Sequence, residues 1–376
     1  MTTSDHRRLR VVHLVETLAL GGMERVVQRL ALETDAQRFE VQVVCLKAVG
    51  VVGDELRAAG IPVSCVEVSR DRPDYLGFVT IGRFLRGLRP DVVHTHNSPA
   101  LIFGATGAWL AGVRRIVHTE HGRKFPDRLR YMVAERIASS VVNRVVGVTQ
   151  EVTDALRRFE FIPARKLTTV VNGVAAPTPI SATERSRVRT EDFQVDATQF
   201  VVGFAGRFVW EKDLPNLLQA WQRVLAAKPH AVLVLAGDGP ERPAVEAAIA
   251  QLGIGPSIRL LGMRADVPRL LQAMDAFVMA SKSEGLPLAL LEAMAVGLPC
   301  VCTRVGGMPA ALGDGEAGWI VPPSDPAALA DRLEHVVTDA ADRRRVAEAA
   351  ARRFDAQYTS RAMVQAYQDL YDPRHG

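Results

Sequence analysis

Ala276-Phe277-Val278-Met279-Ala280-Ser281-Lys282-Ser283-Glu284-Gly285-Leu286-Pro287-Leu288-Ala289-Leu290-Leu291-Glu292-Ala293-Met294-Ala295-Val296-Gly297 is the stretch that decides the fold of this 376-residue chain. The apolar run Ala276–Ala280 reads as a strand buried on both faces. Gly285 and Pro287 force a tight turn, and a helix is expected from about Leu288. The first amides of a helix have no intrahelical partner. Leu288, Ala289 and Leu290 are therefore expected to present donors at a positive helix end, a ready place for a diphosphate. Glu284 precedes the helix and can reach a neutral polyhydroxyl group. Glu292 lies about one turn inside, where a carboxylate can accept two hydrogen bonds from a ribose diol. A plain strand–turn–helix with two surface carboxylates is the alternative for this stretch alone.

The same rhythm extends in both directions. Around that strand, apolar runs near 200–206, 231–236, 258–261, 299–303 and 318–321 alternate with helical patterns at 213–227, 240–251, 288–296, 325–338 and 341–354. In the first half, runs near 9–15, 41–46, 63–68, 91–95, 114–119, 144–149 and 167–171 alternate with Met23–Glu33, Ile81–Leu88, Leu129–Val142 and Thr149–Phe159. Between the halves, residues 176–198 carry prolines, hydroxyls and charges without an apolar period, which predicts a linker. The expected fold is α/β: two Rossmann-like doubly wound domains facing across a cleft, with ligands at the carboxyl ends of the strands. The expected domains are 1–175 and 199–355, followed by a segment at 356–376 containing the amphipathic helix Ser360–Tyr371.

Composition narrows the class. Hydrophobic residues make up 48% and charged residues 23%, a globular profile. The formal net charge of +4 is too small for a dedicated nucleic-acid binder. Val11–Val15 is broken by Glu16, too short for the apolar region of a signal peptide, and no 18 apolar residues run together. Cys45, Cys65, Cys300 and Cys302 each sit in a strand-like run, as buried free thiols do in a reducing compartment. A cytoplasmic protein is expected.

Further motifs carry chemistry. In Gly203-Phe204-Ala205-Gly206-Arg207-Phe208-Val209-Trp210-Glu211-Lys212 a glycine turn follows a strand, and Arg207 and Lys212 can both point at a ligand. Two cations there would neutralise a leaving diphosphate; two solvated surface cations are the alternative. Gly21-Gly22-Met23-Glu24 opens a helix after the first strand but lacks the third glycine of a dinucleotide loop. Gly237-Asp238-Gly239-Pro240-Glu241-Arg242 fails the same pattern and reads as a turn. His94, His96, His118 and His121 fall at strand ends. A zinc site from these four imidazoles is disfavoured, because no carboxylate or cysteine joins them in a usual ligand spacing. His121, beyond its strand and before Gly122, is the best candidate for a residue at a reacting centre.

Six features in order make a family pattern: Gly21-Gly22, Thr119-Glu120-His121-Gly122, Asn172-Gly173-Val174, Gly206-Arg207…Glu211-Lys212, Ala236-Gly237-Asp238-Gly239-Pro240 and Glu284-Gly285-Leu286-Pro287…Glu292. Together they resemble the retaining GT-B glycosyltransferases of family GT4, the group 1 enzymes, from about residue 10 to 355. Leu286, where Phe is frequent, and Ala175, where Asp is frequent, depart from the pattern. The resemblance implies that Gly22 approaches the donor phosphates, Arg207 and Lys212 hold the leaving diphosphate, and Glu284 contacts the transferred sugar. It further implies that Glu292 binds the ribose, His121 lies beside the anomeric carbon, and the final helix returns to the N-terminal domain. The nucleotide base is expected near Met263. The donor set is thus Gly22, Arg207, Lys212, Met263, Glu284, Gly285, Leu288, Ala289 and Glu292, and the catalytic set His121, Glu284, Arg207 and Lys212.

The chain contains no Asp-x-Asp, the usual metal–diphosphate handle of the other large glycosyltransferase fold. Metal-independent transfer from a nucleotide-diphosphate sugar to a glycan or lipid-linked acceptor follows as the expectation, with no cofactor. Retention is expected through same-face attack, since no unassigned carboxylate offers itself as a nucleophile. The narrower resemblance is to enzymes of exopolysaccharide and cell-envelope glycans. Between Arg114 and Lys166 stand twelve Lys and Arg against six Asp and Glu. Arg123, Lys124, Arg128, Arg130 and Arg136 could meet an anionic membrane surface or a lipid diphosphate; a solvated helix face is the alternative. Rival classes are a sugar-nucleotide epimerase or phosphorylase of the same plan, a dehydrogenase, and a two-lobed solute-binding protein.

Overall fold

Every apolar run marked above forms a strand. The computed structural model describes residues 7–66, 76–122 and 126–372. Its residues up to Gly173, together with those from Ser360 onward, form one unit; Val174–Thr359 form the other.

The first unit holds β1 (Leu9–Thr17), β2 (Phe39–Ala48), β3 (Val63–Cys65), β4 (Val92–His96), β5 (Arg115–Glu120), β6 (Arg144–Gly147) and β7 (Leu167–Thr169). The second holds β8 (Val201–Ala205), β9 (Val232–Ala236), β10 (Ile258–Gly262), β11 (Ala276–Met279), β12 (Cys300–Thr303) and β13 (Trp319–Val321). The sheets run β3-β2-β1-β4-β5-β6-β7 and β10-β9-β8-β11-β12-β13, with every pairing parallel. Each order reverses once, between β1 and β4 and between β8 and β11. Those reversals are the topological switch points, where the loops at the carboxyl ends of the strands diverge and leave a crevice.

Burial explains why these runs pair. All five residues of β8 and of β9 are buried, as are Val11, Val12, Leu14 and Val15 of β1. Each such Val or Leu contributes about 1.5–3 kcal/mol by leaving water. Helix Leu214–Ala227 turns Leu217, Leu218, Trp221 and Val224 inward, where they share a core with Leu329, Leu333 and Val336 of Pro326–Thr338. The Trp221 indole N–H donates to Ser257 Oγ at 3.1 Å, so its burial leaves no unpaired donor.

Three segments differ from expectation. Residues 97–110 form a helical run, Asn97–Pro99, a π-helical Ala100–Ala105 and Thr106–Leu110, where no helix is legible. Its apolar residues surround the axis, so no polar face marks a period. Residues 176–198 do not form a free linker. Ala182–Arg187 is helical, and Arg185 and Arg189 both pair with Asp275 of the second unit. The expected helix Leu129–Val142 ends at Ala138 and continues as a tight turn over Ser139–Val141. The final helix, Ser360–Tyr371, lies in the first unit, with Tyr371 Oη on His94 and Tyr367 Oη on Thr119. No helix among the described residues is long and apolar enough to cross a membrane.

Candidate functional site

In the second unit, the turns that follow β8 and β11 meet at the switch point. Lys212 Nζ stands 2.6 Å from Glu284 Oε1, and Ser281 Oγ donates to the same oxygen at 2.7 Å. Both bonds fall on Oε1, leaving Oε2 without a hydrogen bond among the described residues. Lys212 passes over Gly206, where an added Cβ would lie 3.4 Å from Lys212 Cε. The Arg207 side chain is exposed and has no ion-pair or hydrogen-bond partner among the described residues, so its charge is available.

Five contacts lock this arrangement. Lys282 donates its backbone N–H to Glu211 O at 2.7 Å, joining the two turns directly. Asp213, in the left-handed region at φ 47° and almost fully buried, pairs with Lys282 at 2.9 Å and accepts from Ser324 Oγ at 3.2 Å. Gly306 lies against the Glu284–Gly285 backbone so closely that a Cβ would come within 2.1 Å of Glu284 O. Its neighbour Gly307 donates to Gly285 O at 2.6 Å. Asp213, Ser281, Lys282 and Gly306 were not legible as site residues. Asp213 beside a lysine and Gly306-Gly307 after a strand carry no signal of their own.

Helix Leu288–Ala295 starts where expected, with Pro287 as its cap. The donor set at its start is smaller than three. Leu290 N donates to Pro287 O at 3.1 Å in a tightened first turn, which leaves the Leu288 and Ala289 amides without a partner among the described residues. Glu292 is half-buried one turn further on. Met263 is 63% exposed beyond β10. Arg264 beside it is engaged by Asp192 and Asp266 and is not free for a ligand. Gly237 and Gly239 serve packing: an added Cβ would come within 1.9 Å of Gly206 O and 2.4 Å of Phe208 O. They let the turn after β9 sit against the turn after β8.

In the first unit, Gly21 caps helix Gly22–Glu33, and Gly22 is exposed at its first position. The Glu24 carboxylate folds back over this start, where a Gly21 Cβ would meet its Oε2 at 2.4 Å. The histidines divide by strand alternation. His13 is opposite His94 in the β1–β4 register, and His94 and His96 are two residues apart, so all three share one face. His118, opposite Thr95, faces the other way and meets Thr95 Oγ1 at 3.0 Å. The four-imidazole set considered from sequence is therefore not one cluster, and the missed member is His13. His13 Nδ1 lies 3.0 Å from His96 Nε2, and His96 Nδ1 lies 3.0 Å from His121 Nε2. Burial pushes His13 and His121 down to about 3, so both are neutral.

His13, His94 and His96 each bring a nitrogen within 4.8 Å of the others, a spacing that could hold an ion. Both nitrogens of His96 are in the imidazole chain, and both of His94 are bonded, to Tyr371 Oη and Thr119 Oγ1 at 2.7 Å each. The cluster reads as a hydrogen-bonded array.

Arg123 and Lys124 lie outside the described residues. Arg128, Arg130 and Arg136 are exposed on or beside helix Leu129–Ala138. The same helix exposes Leu129, Val133 and Ile137, four residues apart and thus on one stripe. Its Leu129 is 74% exposed.

Residues 20–176 match the family described as Glycosyltransferase Family 4, and residues 188–353 the family described as Glycosyl transferases group 1. The chain is 26% identical over 349 residues to the UDP-Gal:alpha-D-GlcNAc-diphosphoundecaprenol alpha-1,3-galactosyltransferase of Escherichia coli, covering 89% of this chain and 90% of that one. It is 30% identical over 312 residues to the D-inositol 3-phosphate glycosyltransferase of Corynebacterium urealyticum, covering 76% and 72%. Among solved structures it resembles Anabaena HepE in complex with UDP and glucose, with a TM-score of 0.84 at 21% identity over 96% of this chain and 99% of that one.

Proposed function

We propose that this chain, which belongs to the family 4 (group 1) glycosyltransferases, moves a sugar from a nucleotide-diphosphate sugar to a glycan or lipid-linked acceptor, retaining the anomeric configuration and needing no metal ion. The observation that carries this reading is the group at the β8–β11 switch point. An exposed Arg207, Lys212 paired with Glu284, and a helix start with two unpartnered amides all follow the carboxyl ends of the neighbouring strands β8 and β11.

Chemically, the bond from C1 of the sugar to the diphosphate oxygen breaks, and its electron pair leaves with the diphosphate. Lys212, Arg207 and the amides of Leu288 and Ala289 stabilise that charge, the work a divalent ion does elsewhere. The acceptor hydroxyl attacks C1 from the face the diphosphate leaves, and its proton passes to the departing phosphate oxygen. Glu284 and Gly285 hold the sugar, Glu292 the ribose diol, and Met263 lies toward the base. Gly22 approaches the phosphates, and His121 hydrogen-bonds near the reacting carbon without acting as a general base.

The Escherichia coli relative takes UDP-Gal and a diphosphoundecaprenol-linked acceptor by name, which makes UDP-sugars and lipid diphosphates the first substrates to test. We further propose that Leu129, Val133 and Ile137, with Arg128, Arg130 and Arg136, rest on an anionic membrane surface. Apolar side chains flanked by cations suit that boundary. A thermal-shift panel of UDP-, GDP- and ADP-sugars in EDTA tests the donor reading. One nucleotide family should raise the melting temperature, since a ligand that binds the folded state stabilises it; no shift with any of them would count against it.

A further inference from the structure

The three imidazoles His13, His96 and His121 form an unbranched hydrogen-bonded chain with two open ends. His13 Nε2 and His121 Nδ1 are buried and have no partner among the described residues. Each ring is neutral and carries one N–H, and each link needs one donor and one acceptor. The three tautomers are therefore coupled, and only two arrangements satisfy both links. In one, His13 Nδ1–H donates to His96 Nε2, His96 Nδ1–H donates to His121 Nε2, and His121 carries its proton on Nδ1. In the other every bond is reversed, and the free N–H sits on His13 Nε2.

The two ends are not equivalent. His13 lies within β1 and exposes no surface, so an N–H at its Nε2 stays without an acceptor whatever binds. Buried N–H groups left in that state are rare because they forfeit a hydrogen bond to water. His121 lies beyond the end of β5 and is half-buried, held by its backbone N–H on Asn97 Oδ1 at 3.2 Å. Its Nδ1 is buried too, but it lies past the strand end on a part-exposed ring, so a ligand oxygen seated against that ring meets an N–H there.

We propose that His13 and His96 are positioning residues that fix His121 as its Nδ1–H tautomer, a standing neutral donor to an uncharged oxygen such as a hydroxyl of the transferred sugar. The proposal rests on the reading that His121 acts on that sugar. It adds a consequence: His121 cannot take the acceptor's proton at Nδ1, because that atom already holds one. The chain is also a dead end, since a proton passed inward has no exit beyond His13.

The test is the tautomer of His121 in the full-length protein labelled with ¹⁵N-histidine, read from the couplings of its ring nitrogens. The wild type should show a protonated Nδ1 and a bare Nε2. His13→Leu should give a mixture at His121 and lower kcat about 3- to 10-fold, the worth of one uncharged hydrogen bond, with donor KM little changed. His13→Asn, whose side-chain amide can donate from near the Nδ1 position, should restore both. A protonated Nε2 in the wild type, or an unaltered His121 tautomer in His13→Leu, overturns the proposal. A mixed tautomer with unchanged kcat leaves the coupling intact and instead overturns the role of His121 at the sugar.

Discussion

Lys212 and Glu284 are partners across two turns: Nζ and Oε1 are 2.6 Å apart, with side chains only 15% and 11% exposed. The cation proposed for the diphosphate and the carboxylate proposed for the sugar thus neutralise each other. On the proposed roles, a donor competes with Glu284 for Lys212 and in doing so frees a carboxylate oxygen for the sugar hydroxyls. The proposal thus couples binding and activation through one ion pair.

Removing the carboxylate should separate these two effects. Glu284→Gln removes a negative charge beside the diphosphate position, so the nucleoside diphosphate alone should bind about 3- to 10-fold more tightly in titration calorimetry. Turnover of the full donor should fall about 100-fold, because the sugar loses its charged acceptor. Weaker diphosphate binding in this variant would show that Glu284 does not restrain Lys212.

Gly306→Ala should damage the site without touching a ligand-binding side chain. The added Cβ would meet Glu284 O at 2.1 Å, a backbone atom that cannot swing away, at a residue with φ of 53°. The strain at positive φ costs about 1 kcal/mol before the clash is counted. A lower melting temperature and a kcat reduced about 10-fold or more are expected. An unchanged kcat would mean that the 305–307 loop does not hold Glu284.

Acid should unfold the first unit through its histidines. Burial holds His13 and His121 at about 3 and His94 and His96 well below the ordinary 6.5. Between about pH 6.5 and 3 the unfolded chain binds protons at these sites and the folded chain does not. Stability is full above about 6.5 and is lost as pH falls through that window. Each such group contributes about 1.4 kcal/mol per pH unit. Urea midpoints between pH 7 and 5 should fall more steeply in the wild type than in His13→Leu, by about one proton. Midpoints independent of pH over that range would contradict the assignment of these rings as neutral.

Leu129→Glu with Ile137→Glu should abolish co-sedimentation with anionic liposomes at low salt while leaving transfer to a short soluble acceptor unchanged. Neutral liposomes should bind the wild type poorly, since the basic residues supply the attraction. Undiminished sedimentation of the double variant would remove this helix from the membrane proposal.

What the sequence disclosed follows from what each residue's signal depends on. Strands such as β8 and β9 are legible because both faces are buried and the apolar run has no gap. The helix start at Leu288 is legible because proline and glycine act locally. Residues 97–110 are not, because apolar residues lie all round that helical run, so no polar face marks its period. The 176–198 stretch misleads because Arg185 and Arg189 are spent on Asp275, and Glu184 and Asp192 on Arg264 and Arg269, all distant in sequence. His13 is invisible in Val11-Val12-His13-Leu14-Val15, since only the β1–β4 register reveals that it faces His94 and His96. Asp213 and Gly306 likewise act through contacts with the turn after β11, which no local pattern reports.

The most direct test of the account is the rate of sugar transfer from the preferred nucleotide-diphosphate sugar in EDTA, compared between the wild type and Lys212→Ala. The account predicts a wild-type rate unaffected by EDTA and a variant rate at least ~100-fold lower, the loss expected when one charge-stabilising group is removed. Complete loss of wild-type activity in EDTA, or a near-wild-type rate in Lys212→Ala, would contradict it.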